Sequence, residues 1–212
     1  MRITKTIVNT SEISSFIDLQ IPDSVPLEVR DSVKRECGDV IIDGILLAVG
    51  KARSPLIDQD WPPLSSEYRE EKSEDGRGTK ANLELSGDML DALNFTLTDN
   101  GIKLGIVGPE APKADGHNNF SGKSTLPRRK FLPEEGDSFI PQIENDVRSI
   151  ISEATVASQL VSKSRINQVT TKDQLNFLLR ELYPAISVRE AKQAILLDDK
   201  LRSLFFPILW LF

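Results

Sequence analysis

A chain of 212 residues is long enough for one sizeable domain with an appendage, or for two small domains. Its apolar fraction of 39% and charged fraction of 27% are ordinary for a globular protein. The net charge of −6 argues against a domain that grips nucleic acid, although an acidic wall would suit a conduit through which DNA passes.

Cysteine and histidine each occur once, as Cys37 and His117. This scarcity excludes an intramolecular disulfide and argues against cysteine- or histidine-rich metal sites and Ser-His or Cys-His catalysis. The chain opens without a signal-peptide pattern, and its strongest apolar run, residues 204–212, is too short to span a bilayer. We therefore expect a soluble protein of a reducing compartment, with no metal and no cofactor.

The N-terminal part of the chain predicts one long helix. Residues 1–23 alternate loosely and predict a strand or a short helix. Pro26 suits the first turn of a helix, so we predict a helix over residues 27–53, which Pro55 ends. Gly38 and Gly44 inside it indicate close packing or a bend. Its apolar stripe consists of Val29, Val33, Cys37, Val40 and Leu47, widened by Ile41, Ile45 and Val49.

A connector and a polar segment follow. Trp61-Pro62-Pro63-Leu64 opens the connector, and residues 67–80 are dense in charge, glycine and serine. That composition is typical of a solvated loop. Ser86-Gly87-Asp88 predicts the start of a short helix that carries Met89, Leu90 and Leu93 on its apolar face.

The strongest local signal is a β-hairpin. Residues 94–99 and 102–107 alternate in polarity and flank Asn100-Gly101. This dipeptide favours a two-residue turn with positive φ at both central positions.

The C-terminal half is predicted to be largely helical. Residues 109–115 predict a loop and residues 126–133 an extended segment, before helical spacing returns from Phe139 to Ile150. Two capping boxes, at Thr171 and Ser187, indicate further helices. The predicted fold is α+β: a small antiparallel sheet with a β-hairpin packed by helices over residues 1–153, and an all-helical extension over residues 154–212.

Two chemical motifs do not support a catalytic interpretation. Gly122-Lys123-Ser124-Thr125 resembles a phosphate-binding loop, but five residues separate Gly116 from Gly122 where four are needed. Leu126-Pro127 also breaks the helix that such a loop should open. His117 is a lone histidine in a polar segment, which favours a hydrogen-bonding or interface role over a general base.

Four segments, read in order, resemble one family. They are Trp61-Pro62-Pro63-Leu64-Ser65-Ser66-Glu67-Tyr68 with Lys72, then residues 83–90, residues 114–119, and Leu126-Pro127-Arg128-Arg129-Lys130-Phe131-Leu132-Pro133. Together they are similar to the phage virion morphogenesis or tail-completion proteins of long-tailed phages. The resemblance covers about residues 25–153.

The resemblance implies a non-enzymatic virion protein, assembled in the host cytoplasm, that works as a ring at the neck. It would complete the tail tube, join the head-tail connector, and let DNA pass without sequence-specific binding. Its partners would be copies of itself, with six-fold symmetry favoured, the tail tube protein and the connector proteins, and no membrane. A closed ring needs two different patches on each subunit. The residues predicted to contact subunits or partners are Trp61, His117, Asn118, Arg128, Arg129, Phe131, Leu132, Phe205, Phe206, Trp210 and Phe212.

Residues 204–212 are all apolar, which is unusual near a terminus. One hypothesis is that they dock into a groove on a neighbouring subunit. The alternative is that they fold back on helices of their own subunit, against Leu175, Leu179 and Ile195. Two other functions remain open for the whole chain: an assembly chaperone or scaffold that leaves the finished particle, and a tail-associated hydrolase or nuclease.

Overall fold

The fold is known from a computed structural model that describes residues 1–74, 76, 78–83, 88–123 and 126–160. The chain divides into two compact units, Met1–Ser152 and Glu153–Phe212. The strands are β1 (Arg2–Asn9), β2 (Glu12–Asp18), β3 (Leu93–Leu97) and β4 (Gly101–Val107); the helices are α1 (Leu27–Gly50), α2 (Ser66–Glu74), α3 (Asp88–Asp91), α4 (Ala111–Asn118) and α5 (Pro141–Leu160).

The four strands form one antiparallel sheet in the order β1-β2-β4-β3, and helices pack against it. This confirms the predicted α+β class. Residues 1–23 supply two strands rather than a helix, and Ile13, Ser15 and Ile17 occupy alternate, buried positions along β2. They share the buried face of the sheet with Ile102, Leu104 and Ile106 of β4.

Helix α1 lies against this face. Its buried stripe consists of Val33, Cys37, Ile41, Ile45 and Val49, whereas Leu47, which the sequence placed on the stripe, is 59% exposed. The helix ends at Gly50, three residues before the predicted end. A Cβ atom at Gly38 would meet the ring of Phe95, and one at Gly44 would meet Ile143. Both glycines therefore mark close packing.

The predicted hairpin is confirmed, but its predicted turn is wrong. Strands β3 and β4 pair from Leu93↔Ile106 to Leu97↔Ile102, and the Thr98 amide donates to the Gly101 carbonyl. Neither Asn100 nor Gly101 has positive φ. Gly101 is instead a strand residue that pairs with Asp18, so the neighbouring strand holds it in extended backbone.

Two predicted loops are helices. Residues 66–74 form α2, whose first turn is capped because the Tyr68 amide donates to the Ser65 hydroxyl at 3.3 Å. Residues 111–118 form α4, which tolerates Pro112 because the first helical positions need no amide donor. Charge density and proline content misled the prediction in both places. Residues 126–133, predicted to be an extended segment, form neither helix nor strand.

The described part of α5 confirms the helix predicted from Ile143 and Val147, both of which are buried. The helices predicted after Thr171 and Ser187, and the apolar run with Phe205, lie outside the described residues. Among the described residues, no helix combines the length and the apolar composition needed to cross a membrane.

Candidate functional site

A pocket of about 500 Å³ opens where four separated parts of the sequence meet. They are residues 63–72, residues 81–83, α4 and residues 126–129. The lining is apolar with a set of basic side chains, and we call it the basic pocket. Its lining includes Leu64, Tyr68, Lys72, Lys113, His117, Leu126, Pro127 and Arg129.

Asn118 fixes the position of one wall. Its side chain is fully buried, and its Oδ1 accepts hydrogen bonds from the amides of Phe131 and Leu132, both at 2.9 Å. Its Nδ2 donates to the Ala114 carbonyl at 3.0 Å. One side chain thus joins the end of α4 to a segment that has no regular hydrogen bonding of its own, and satisfies two buried amides there.

Asn118, Phe131 and Leu132, which the sequence predicts to contact a partner, are all 0% exposed within their own subunit. Phe131 and Leu132 belong to the core beneath the sheet, where the neighbouring Pro133 carbonyl accepts a hydrogen bond from Ser15. Within residues 126–133, Arg129, Phe131 and Leu132 are buried, whereas Leu126 and Arg128 are exposed. The segment therefore does not present all of its side chains to a partner.

Arg129 is buried as well, with 6% of its surface exposed, yet it lines the basic pocket. Its backbone amide donates to the His117 carbonyl at 2.9 Å, and Nη2 donates to the Pro62 carbonyl at 3.3 Å. Its Nε is buried, and no hydrogen-bond partner for it exists among the described residues. Burial lowers the pKa of Arg129, and nearby Tyr68 acts in the opposite direction. The guanidinium therefore stays charged in poorly solvated surroundings.

His117 lies on α4 and lines the same pocket. Burial lowers its pKa to about 4, and the charges of Arg129 and Lys113 contribute to the decrease. The imidazole is consequently neutral at pH 7, with one nitrogen that donates and one that accepts. Its Nδ1 is buried, and no described residue forms a hydrogen bond with it. With no partner to position it as a base, His117 is better suited to contact a ligand.

Lys72 and Tyr68 were not among the predicted site residues. Both lie on α2, four positions apart, so they share one face of that helix. Lys72 is 2% exposed, and its ammonium donates to the Lys80 carbonyl at 2.9 Å and to the Asn82 side chain. The charge, glycine and serine content of residues 67–80 predicts a solvated loop, and this composition conceals the i, i+4 spacing. A helical interpretation of that segment would have identified both.

Two other predicted interface residues differ in exposure. Trp61 is buried at 8% exposure, and its backbone amide donates to the Ala52 carbonyl, so it serves mainly the fold. The Arg128 side chain is 49% exposed and pairs with Glu134 at 3.1 Å. Arg128 therefore remains available on the surface. The remaining predicted interface residues, Phe205, Phe206, Trp210 and Phe212, lie outside the described residues.

The secondary structure around Gly122 does not match a nucleotide-binding loop. Gly122 follows α4, and the next helix of the described chain begins only at Pro141. A phosphate loop would instead connect a strand directly to a helix. Within the described residues, no group of three or more acidic, histidine or cysteine side chains has a metal-binding arrangement.

Comparison of the chain with known protein families, with curated proteins and with solved structures found no match.

Proposed function

We propose that this protein is a structural, non-enzymatic component of the neck of a tailed-phage virion. It acts as an oligomeric ring, six-fold rather than twelve-fold, that completes the tail tube and joins it to the head connector. One observation carries the proposal: segments of the family resemblance that are far apart in sequence contact one another. Arg129 donates hydrogen bonds to the carbonyls of Pro62 and His117, and the Asn118 side chain accepts hydrogen bonds from the amides of residues 131 and 132.

The surface supports head-to-tail association. The basic pocket forms one patch, and the outer side of α1 provides a second patch that carries acidic and apolar side chains. There, Asp39 and Asp43 are exposed beside Leu46 and Leu47, which are 38% and 59% exposed. Asp43 and Leu47 also line a groove of about 540 Å³ that α1, residues 51–58 and residues 140–146 border, with Lys51 and Arg53 as its cations. Two complementary patches per subunit are what a closed ring of identical subunits requires.

The net charge supports a ring that surrounds passing DNA without binding it. A charge of −6 disfavours adhesion to phosphate, so an acidic ring would let DNA pass through. The tail tube protein and the connector proteins are the other partners of the proposed ring, and the finished virion is its location.

The test is the number of copies of this protein in purified virions, measured by quantitative mass spectrometry against a capsid protein. A neck ring predicts a small constant number above one, and loss of the gene should give full heads and separate tails. A single copy per particle would contradict the ring. Absence from the particle, with tails still dependent on the protein, would support an assembly chaperone instead. Nuclease or ATPase activity of the purified protein would overturn the non-enzymatic assignment.

A further inference from the structure

We propose that the basic pocket binds a carboxylate carried by an acidic side chain within an apolar peptide segment of a partner protein. This inference deepens the proposed function by giving the chemistry of one contact, and it rests on that function for the partner being a neck or tail subunit. The ligand chemistry itself follows from the pocket.

The volume of about 500 Å³ fits a short segment of side chains and is within the range of pockets that hold compact ligands. Leu64, Leu126 and Pro127 provide apolar walls, and Leu126 is 50% exposed although it is a large aliphatic residue. A segment inserted here would cover that side chain. An occupant must therefore be partly apolar.

The charge of the pocket favours an anion. Arg129, Lys113 and Lys72 line it, and none of the described lining residues is acidic, although Lys113 pairs with Glu110, outside the lining, at 3.1 Å. Arg129 is the decisive group, because its guanidinium is buried and no carboxylate of the described residues pairs with it. Its Nη2 donates a hydrogen bond to the Pro62 carbonyl, while Nε has no hydrogen-bond partner among those residues. A buried cation without a counter-charge is costly, and an incoming carboxylate would offset that cost.

His117 adds hydrogen-bonding selectivity. It is neutral, it borders the same space, and its Nδ1 has no hydrogen-bond partner among the described residues. A neutral imidazole can donate one hydrogen bond to a carboxylate oxygen beside the arginine. The Tyr68 side chain also lines the pocket and provides a hydroxyl.

A peptide carboxylate fits better than a nucleic-acid phosphate. Phosphate backbones bind to open, solvated basic surfaces, with lysine and arginine along a groove. Here the basic groups border a compact pocket with aliphatic walls, in a chain of net charge −6. A glutamate or aspartate flanked by apolar residues brings the anion and the apolar surface together.

The lone histidine makes the test specific, because His117 gives the only imidazole signals in the NMR spectrum of the full chain. The probes are N-acetyl-Leu-Glu-Leu-amide, its glutamine analogue, hexanoate, hexanamide and inorganic phosphate. We expect the glutamate peptide and hexanoate to shift the His117 signals and to raise its pKa from about 4. The glutamine peptide and hexanamide should do neither.

Each other outcome decides against part of the proposal. Equal shifts by the glutamine peptide would show that charge is not recognised, and shifts by hexanoate alone would replace the peptide with a small carboxylate. Stronger shifts by phosphate would point to nucleic acid. No shift with any probe would overturn the site. Because these measurements use the isolated protein, they stand even if the protein is absent from virions, which would overturn only the proposed function.

Variants at the pocket and at a surface control position complete the test. Lys113→Gln removes an exposed cation at the pocket and should weaken binding of the glutamate peptide about five-fold. Lys123→Gln removes an exposed cation that does not line the pocket and should leave binding unchanged. Arg129→Lys should weaken binding further than Lys113→Gln, because lysine cannot reproduce the guanidinium geometry. Equal effects of Lys113→Gln and Lys123→Gln would show only general charge attraction and would contradict the site.

Discussion

At the scale of the residue, Asn118 contributes more to this structure than its polar character suggests. Replacing it with alanine removes the acceptor for two buried amides, at Phe131 and Leu132, and a donor to Ala114. Since buried amides left without partners are costly, we expect Asn118→Ala to lower the free energy of unfolding by about 2–4 kcal/mol. Urea denaturation would measure the change. Asn145→Ala, at an exposed position of α5, is the matched control and should change stability by less than about 0.5 kcal/mol.

His117 gives the stability a defined pH dependence. Its pKa is about 4 in the folded chain, against 6.5 for an unperturbed histidine, so between these values the unfolded state binds the extra proton. The stabilisation is complete above about pH 6.5 and is lost as the pH falls toward 4, by no more than about 3 kcal/mol. We expect His117→Gln to remove this part of the pH dependence. Unfolding curves of both proteins at pH 4.5 and 7 would measure it, and parallel pH profiles would contradict the assignment.

At the scale of the element, α1 depends on two glycines that a helix would ordinarily disfavour. An added Cβ at Gly44 would lie 2.5 Å from Cγ1 of the buried Ile143. We expect Gly44→Ala to destabilise the fold by about 1–3 kcal/mol, because the helix would have to move away from α5. Gly50→Ala, at the end of the same helix, has open space around it and should be neutral or stabilising. Thermal unfolding of the pair separates packing from helix propensity, and equal effects would exclude the packing explanation.

Helices α2 and α4 illustrate how local composition can mislead. Both are short and polar, and each is fixed by contacts that a linear pattern does not display. Lys72 anchors the end of α2 through the Lys80 carbonyl, and Asn118 ties the end of α4 to the chain beyond it. A side-chain cap at Ser65 stabilises α2, whereas α4 has no side-chain cap at its N-terminus and is fixed by the hydrogen bonds of Asn118 instead.

At the scale of the whole molecule, removing the apolar residues 204–212 would distinguish docking on a neighbouring subunit from packing within their own subunit. Under the proposed function they dock on a neighbouring subunit or ring. We therefore expect a chain truncated after residue 203 to keep its melting temperature and solubility but to fail to join heads to tails. Melting curves and complementation of a gene deletion would measure the two effects. A large loss of melting temperature would show that the segment belongs to its own subunit's core.

Arg128 is the suitable position for a variant that tests the proposed interface, because its side chain is half-exposed whereas Phe131 is buried. A variant that truncates Phe131 would damage the core and could not report on association.

The sequence by itself determined the α+β class, the long helix, the hairpin and the presence of a helix around Ile143 and Val147. Each depends on periodicity or on residues close in sequence, which a linear pattern contains. Tertiary structure decided the rest. Pairing of Gly101 with Asp18 overrode the local preference of Asn100-Gly101, and burial assigned Phe131 and Leu132 to the core. The basic pocket needed residues 72, 117 and 129 to meet, and side-chain burial depends on such distant contacts, which no local pattern specifies.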